Sequence, residues 1–277
     1  HPALDSVDIH QIDRAIQLAR GETRLFFSGA SEMFIHGPDT LISMVAIAQA
    51  LLAPEEKLVA VHEARFRKLV RTELELVARP ADQVSPKDIS DAAAVLKLRT
   101  NQSRVLTVVG KPMPKPIAGG IWPGRMSTLY SLFGPRMEET ITNDAITRTY
   151  FTGPAPAMNG HEMFSPGVQL ATFFDIALQA GGNIIDAYIG TDVLLAAGAK
   201  KMTIPKLSDL EEDGKLTVSL QDPLRRGKRF SFGVVNTTLT NPKGKQLASA
   251  IIEIAVPNSK DIEREFYLEE ETFPYRR

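Results

Sequence analysis

Cysteine is absent from all 277 residues. That removes disulfides, thiol nucleophiles and cysteine-ligated metals together. Excess charge is also missing: 32 Lys and Arg stand against 33 Asp and Glu, a net charge of −1. With no long basic run and no interleaved aromatic platform, nothing points to nucleic acid. The five histidines are scattered, without a His-Glu-x-x-His or a carboxylate cluster, so the expected metal complement is none. A Walker loop, a Gly-x-Gly-x-x-Gly after a strand and a Gly-x-Ser-x-Gly elbow are all lacking. Nucleotide cofactors and a serine-hydrolase mechanism therefore find no support, and the expected cofactor complement is none. The longest apolar helix is expected to run about 13 residues, well short of the roughly 20 that cross a bilayer. No signal peptide is visible, and the expected location is cytoplasmic.

What remains is ordinary globular composition, 43% hydrophobic and 23% charged, enough for one large or two small cores. Its main regularity is an internal repeat. In the first half a strand region from Arg24 to Ile35 leads to the turn His36-Gly37-Pro38-Asp39 and an almost wholly apolar helix from Thr40 to Leu52. Strands are expected at Leu58–Phe66, Thr72–Arg79, Ala93–Arg99 and Arg104–Val109, with Ala81 to Ser90 a surface loop. Lys111-Pro112-Met113-Pro114-Lys115-Pro116 reads as an extended linker. In the second half an apolar helix is followed by strands at Lys201–Leu207, Lys215–Leu220, Arg229–Thr240 and Gln246–Pro257, with Asn241-Pro242-Lys243-Gly244 as a turn. The order in both halves is strand, buried helix, meander.

The second helix carries the chemistry. Gly160-His161-Glu162-Met163-Phe164-Ser165-Pro166-Gly167-Val168 runs into Phe173-Phe174-Asp175-Ile176-Ala177-Leu178-Gln179-Ala180-Gly181-Gly182. Asp175 and Gln179 are four apart and share a helical face, which Asn183 and Asp186 extend. A carboxylate among Ala, Leu, Ile and Phe is costly unless paired or used, and burial raises its pKa. A histidine with such an acid is equipment for moving a proton on and off carbon and oxygen. The bland alternative is a solvated polar stripe. In the first helix Gln49 matches Gln179, but Val45 stands where the second half has Asp175. His62, in an alternating stretch, reads as a surface strand residue, and Tyr150 as a core or rim residue.

The His161, Asp175 and Gln179 spacing, with Pro-Gly-Val at the helix start, resembles β-hydroxyacyl-carrier-protein dehydratases of the hotdog superfamily. The Asp-x-x-x-Gln form is similar to polyketide synthase dehydratase domains, although their His-x-x-x-Gly-x-x-x-x-Pro signature is absent. The resemblance implies an α+β double hotdog, two repeats each with a long buried helix wrapped by an antiparallel sheet. Residues 1–118 would form the first repeat, lacking the acid, and 119–277 the second. It implies a dehydratase of 3-hydroxyacyl thioesters in fatty acid or polyketide biosynthesis. The partner would be an acyl carrier protein or coenzyme A thioester, with a homodimer compatible. Asp175 would protonate the leaving hydroxyl, His161 or His36 would act as base, and Gln179 would orient Asp175. Gly160, Pro166, Gly167 and Val168 would bind substrate, the helix-start N–H groups polarising the thioester carbonyl. In this superfamily histidine and acid usually come from opposite halves, which pairs His36 with Asp175, whereas local spacing nominates His161. Isomerisation or cyclisation could use the same parts. A thioesterase using Asp175 and a non-catalytic scaffold are the other readings.

Overall fold

Among the described residues, twelve antiparallel strands hydrogen-bond into one sheet in the computed structural model. The structure describes residues 16–28, 37–67, 73–113, 137–142, 147–152, 165–189, 195–206, 209, 213–262 and 264. The strands are β1 (Gln17–Ala19), β2 (Glu22–Ser28), β3 (Leu58–Phe66), β4 (Glu73–Pro80), β5 (Ala94–Thr100), β6 (Val105–Pro112), β7 (Met137–Thr142), β8 (Thr147–Thr152), β9 (Leu195–Thr203), β10 (Gly214–Arg226), β11 (Phe230–Thr240) and β12 (Gln246–Pro257). Among the described residues the helices named with them are α1 (Gly37–Gln49), α2 (Pro86–Asp91) and α3 (Ser165–Ile189).

Across the sheet the order is β1-β2-β4-β6-β5-β3-β9-β12-β11-β10-β8-β7. The first six strands come from one half of the chain and the last six from the other. They meet at an antiparallel β3:β9 seam, where Val61 faces Met202 and Ala64 faces Ala199. Six strands lie on either side of this seam, and each half contributes a helix that follows its second strand. Their chain routes differ. In the second half β10, β11 and β12 are consecutive neighbours. In the first half β6 inserts between β4 and β5.

That insertion explains Ala81 to Ser90, expected as a surface loop. β4 and β5 run in the same direction with β6 between them, so the connection must cross the sheet. It does so through a 3₁₀ turn at Ala81–Gln83 and α2. Ser85 starts α2 with a capping box: its hydroxyl accepts from the Asp88 N–H at 3.1 Å. Val84 and Ile89 then cover Ala92, Val95 and Val109 in a small outer core.

Both long helices belong to the main core. Thr40 to Ala48 of α1 are all buried, as expected of a helix covered all round. The Thr23 hydroxyl donates to the Ile47 carbonyl at 2.5 Å, fixing the last turn of α1 to β2. Beyond it, Arg104 donates to the Leu51 carbonyl at 3.0 Å and pairs with buried Glu56 at 2.9 Å. On α3, Leu170, Phe173, Phe174, Ala177, Ala180, Ile184 and Ile185 are buried at helical spacing. The strands supply alternate residues. On β11 these are Val235, Thr237 and Leu239, while Phe230, Phe232 and Val234 are half-buried on the other face. On β12 they are Ala248, Ala250, Ile252 and Ile254.

Several expectations need correction. α3 spans 25 residues, not about 13. No helix of the described residues is long and apolar enough to cross a membrane. Gly181 and Gly182 lie inside α3. A Cβ on Gly181 would come within 2.9 Å of Ile254 Cδ1 and 3.0 Å of Val235 Cγ2, so glycine lets helix and sheet touch. The strand expected at Lys201–Leu207 is β9, shifted to Leu195–Thr203. Lys111 and Pro112 end β6 instead of opening a linker; a terminal strand position spares proline most of its ladder cost. The division expected after residue 118 falls outside the described residues.

Candidate active site

The two core helices touch at Gly167, in the first turn of α3. A Cβ there would stand 3.0 Å from the Ile42 carbonyl oxygen and 3.3 Å from Val45 Cβ of α1. Glycine is thus the condition of this close crossing. Pro166 occupies the second position of α3, where a missing N–H costs nothing. Buried Val45, the residue that replaces the acid in the first half, lies against the start of the second-half helix.

Spacing makes the two helices comparable. Gly37, Val45 and Gln49 in α1 repeat the intervals of Gly167, Asp175 and Gln179 in α3. Gln179 and Asn183, four residues apart, are both exposed, so part of the polar line of α3 faces solvent. In α1 the matching Gln49 has a buried amide oxygen without a hydrogen-bond partner. Asp175 is placed in α3, but its side chain, like those of Pro166 and Val168, lies outside the described part. His36, Gly160 and His161 are outside the described residues altogether. His62 is exposed on β3.

Tyr150, expected as a core or rim residue, is joined by buried hydroxyls that carried no sequence signal. Tyr150 of β8 is 2% exposed and its hydroxyl has no hydrogen-bond partner. It pairs with Leu216, which pairs with Leu239, so the ring shares their helix-facing side. Thr237, 1% exposed on the same side of β11, also has a hydroxyl without a partner. On α1, buried Ser43 is a third such hydroxyl. An orphaned buried polar atom carries a desolvation cost, so hydroxyls of this kind mark places where a ligand oxygen could bind. A buried tyrosine in a strand region was the only sequence signal available.

Among the described residues, three carboxylates on the outer face have lowered pKa values. The Arg79 hydrogen bond holds Glu22 below the ordinary carboxylate range. The Lys111 hydrogen bond lowers Asp88 to about 2. For Glu63 burial pushes upward, but Lys97 and Arg65 outweigh it and hold the group low. A groove of about 220 Å³ there is lined by Arg24, Glu75, Arg79, Asp88 and Lys111. Arg24 pairs with Glu75 at 2.9 Å, Arg79 with Glu22 at 2.7 Å and Lys111 with Asp88 at 2.5 Å, so its cations are engaged structurally. Among the described residues no group of three or more His, Asp or Glu could hold a metal ion.

No protein-family model and no curated protein sequence matches the chain. Solved structures do match. The tesB protein MAP1729c of Mycobacterium avium subspecies paratuberculosis has a TM-score of 0.54 at 11% identity, covering 90% of this chain and 100% of its own. The acyl-CoA thioesterase II TesB2 of Mycobacterium marinum has 0.53 at 9% identity, covering 91% and 100%. The dehydratase domain of the polyketide protein PpsC of Mycobacterium tuberculosis has 0.51 at 15% identity, covering 91% and 100%. These are hotdog-fold thioesterases and dehydratase domains, and over about nine tenths of its length the chain resembles the hotdog superfamily in fold.

Proposed function

We propose that the chain is a double hotdog with repeats 1–118 and 119–277, and that it dehydrates a 3-hydroxyacyl thioester carried by coenzyme A or a carrier protein. The observation that carries the site assignment is the contact of Gly167 with Val45 and Ile42. We take the two halves to be related by an approximate two-fold axis at the β3:β9 seam, so that Gly167 maps to Gly37, Val45 to Asp175 and Ile42 to Thr172. The start of α1, with His36 just before Gly37, then lies against α3 at Asp175. The start of α3, where Gly167 touches Val45 and which Gly160 and His161 precede in sequence, would then serve a half-site without an acid. This favours His36 over His161 as the base.

In the reaction His36 takes the α-proton, and the released electron pair forms the α–β double bond. The β-carbon–oxygen bond breaks as protonated Asp175 gives its proton to the hydroxyl, which leaves as water. Gln179, one turn from Asp175, orients the carboxyl. Free N–H groups at the start of α1 polarise the thioester carbonyl, since helix starts present unpaired donors. Tyr150 and Thr237 offer hydroxyls to oxygens of the acyl chain. The test is mass spectrometry of 3-hydroxyacyl and enoyl thioesters incubated with the chain and with Asp175→Asn. An 18 Da change with wild type, lost with the folded variant, is expected. Full turnover by Asp175→Asn sinks the proposal.

Thioester hydrolysis is the second reading. It is favoured by the missing His-x-x-x-Gly-x-x-x-x-Pro signature, because a carboxylate can activate water without a histidine. Release of free acid, undiminished in His36→Ala and His161→Ala, would select it.

A further inference from the structure

Two buried hydroxyls stand among apolar residues on the helix-facing side of the second half. Tyr150 of β8 and Thr237 of β11 are 2% and 1% exposed, and neither hydroxyl has a hydrogen-bond partner. Around them on that face Leu216 and Val218 of β10, Leu239 of β11 and Ala250 of β12 are all buried. Arg148, beside Val218 on β8, is half-buried and already engaged. Phenylalanine and valine would fill the same two volumes without leaving a polar atom unpaired. Packing gives no reason for either oxygen; a polar atom from outside the chain does.

Their place along α3 follows from two contacts. A Cβ on Gly233 of β11 would stand 2.9 Å from Ile185 Cδ1. Two strand residues further on, Val235 Cγ2 lies 3.0 Å from where a Cβ on Gly181 would be. Two strand residues cover about 6.8 Å and four helix residues about 6 Å. The next steps set Thr237 opposite Ala177 and Leu239 opposite Phe173, both buried on α3. Asp175 lies between these two in sequence, so its turn of helix covers these two rows. Thr237 belongs to the first row, and Tyr150 joins the second through Leu216 and Leu239. With β10 between β8 and β11, the two Cα atoms are about 12 Å apart. The tyrosine arm covers much of that gap.

We infer that the thioester proposed above carries a further oxygen on its acyl chain, beyond the 3-hydroxyl, and that Tyr150 and Thr237 bind it as a hydroxyl or carbonyl. This rests on the dehydratase reading and narrows its substrate class. A fully reduced chain leaves both hydroxyls desolvated and unpaired, whereas an oxygenated one pairs them. The reaction that supplies such a substrate is one that lengthens the chain and leaves an earlier oxygen in place.

Matched pairs of 3-hydroxyacyl N-acetylcysteamine thioesters test this. One member carries a methoxy group on its fifth, seventh or ninth carbon; the other is its isostere with ethyl in place of methoxy. The ether is an acceptor that cannot cyclise onto the thioester. Wild type should favour one oxygenated member in kcat/KM by about tenfold or more, because the isostere leaves buried hydroxyls unmet. That ratio should fall toward one in Y150F/T237V, changes that keep side-chain volume. Should the double variant fail to fold, each single change should lower the ratio. A ratio near one for every pair in wild type overturns the inference and leaves the dehydratase reading standing. A preference unchanged in Y150F/T237V also overturns it. If no thioester is dehydrated, that reading falls by itself, and equilibrium binding of the same pairs decides the inference. Binding of an oxygenated member about tenfold tighter supports it. Equal binding means that buried water alone meets the two hydroxyls, and overturns it.

Discussion

Replacing Gly198 by alanine tests how closely the two halves are joined. Gly198 lies in β9, opposite Arg65 of β3 and Glu253 of β12. A Cβ there would stand 2.5 Å from the Ala64 carbonyl oxygen. A carbon and a carbonyl oxygen normally approach no nearer than about 3.3 Å, so the overlap is roughly 0.8 Å. The oxygen belongs to backbone that is paired with β5 as well as β9, and it cannot swing aside as a side chain would. Relief requires β3 and β9 to part locally. That lengthens ladder bonds from about 2.9 Å to about 3.7 Å, beyond hydrogen-bonding range. One or two such bonds lost in a buried seam cost about 3–4 kcal/mol, against which a stiffer unfolded chain returns about 0.4–1 kcal/mol. The net destabilisation is about 2–4 kcal/mol, a fall in Tm of about 5–12 °C for a chain of this size. Thermal and urea unfolding followed by circular dichroism would read it. Gly244→Ala is the control: its φ is +81° with nothing within 4 Å of an added Cβ, so it costs only the left-handed strain. If Gly198→Ala costs less than Gly244→Ala, the close approach at the seam is wrong.

Two further outcomes follow from polar groups. Tyr150→Phe removes a buried hydroxyl that has no partner, so Tm should hold or rise while turnover on an oxygenated acyl thioester falls; a lowered Tm would show that the hydroxyl is bonded internally. Asp88, held at about 2 against an ordinary 3.8, contributes stability that is complete above its unfolded value and lost as pH falls through about 2. Asp88→Asn should therefore lower the unfolding midpoint at neutral pH. The gap to wild type should narrow as pH falls from about 4 to about 2, and a gap constant with pH would contradict the ion pair.

Strands with alternating or β-branched residues were legible. Leu58–Phe66 and Gln246–Pro257 are found at the expected bounds. The failures have physical causes. After Leu195, β9 continues with Ala196-Ala197-Gly198-Ala199, small residues without alternation, and at Gly198 the close approach of β3 leaves no room for a side chain. The 25-residue length of α3 was missed; it runs past Gly181, whose missing Cβ lets helix and sheet touch. α2 had a sequence signal, Ser85-Pro86-Lys87-Asp88, but its six residues among polar neighbours have no hydrophobic period to strengthen it. Nor could periodicity reveal that β6 enters between β4 and β5, since strand order is fixed by long-range pairing. At the candidate site the missing acid of α1 was plain from Val45. Its juxtaposition with Gly167 was not, because a contact between residues 122 positions apart leaves no local trace.

The β3:β9 seam has a consequence for assembly. Its residue pairs, from Ala60 with Thr203 to Arg65 with Gly198, join stretches separated by 133 to 143 positions in sequence. Each side of the seam is otherwise a self-contained run of chain. The same pairs can form between β3 of one copy and β9 of another without a new contact having to evolve. Such an exchanged dimer would contain two complete sheets with the monomer's own interface. The balance between one chain and two is then set by protein concentration against the effective concentration imposed by the chain between β6 and β7. Shortening that connection would convert a closed monomer into a reciprocal dimer while leaving every strand pair unchanged.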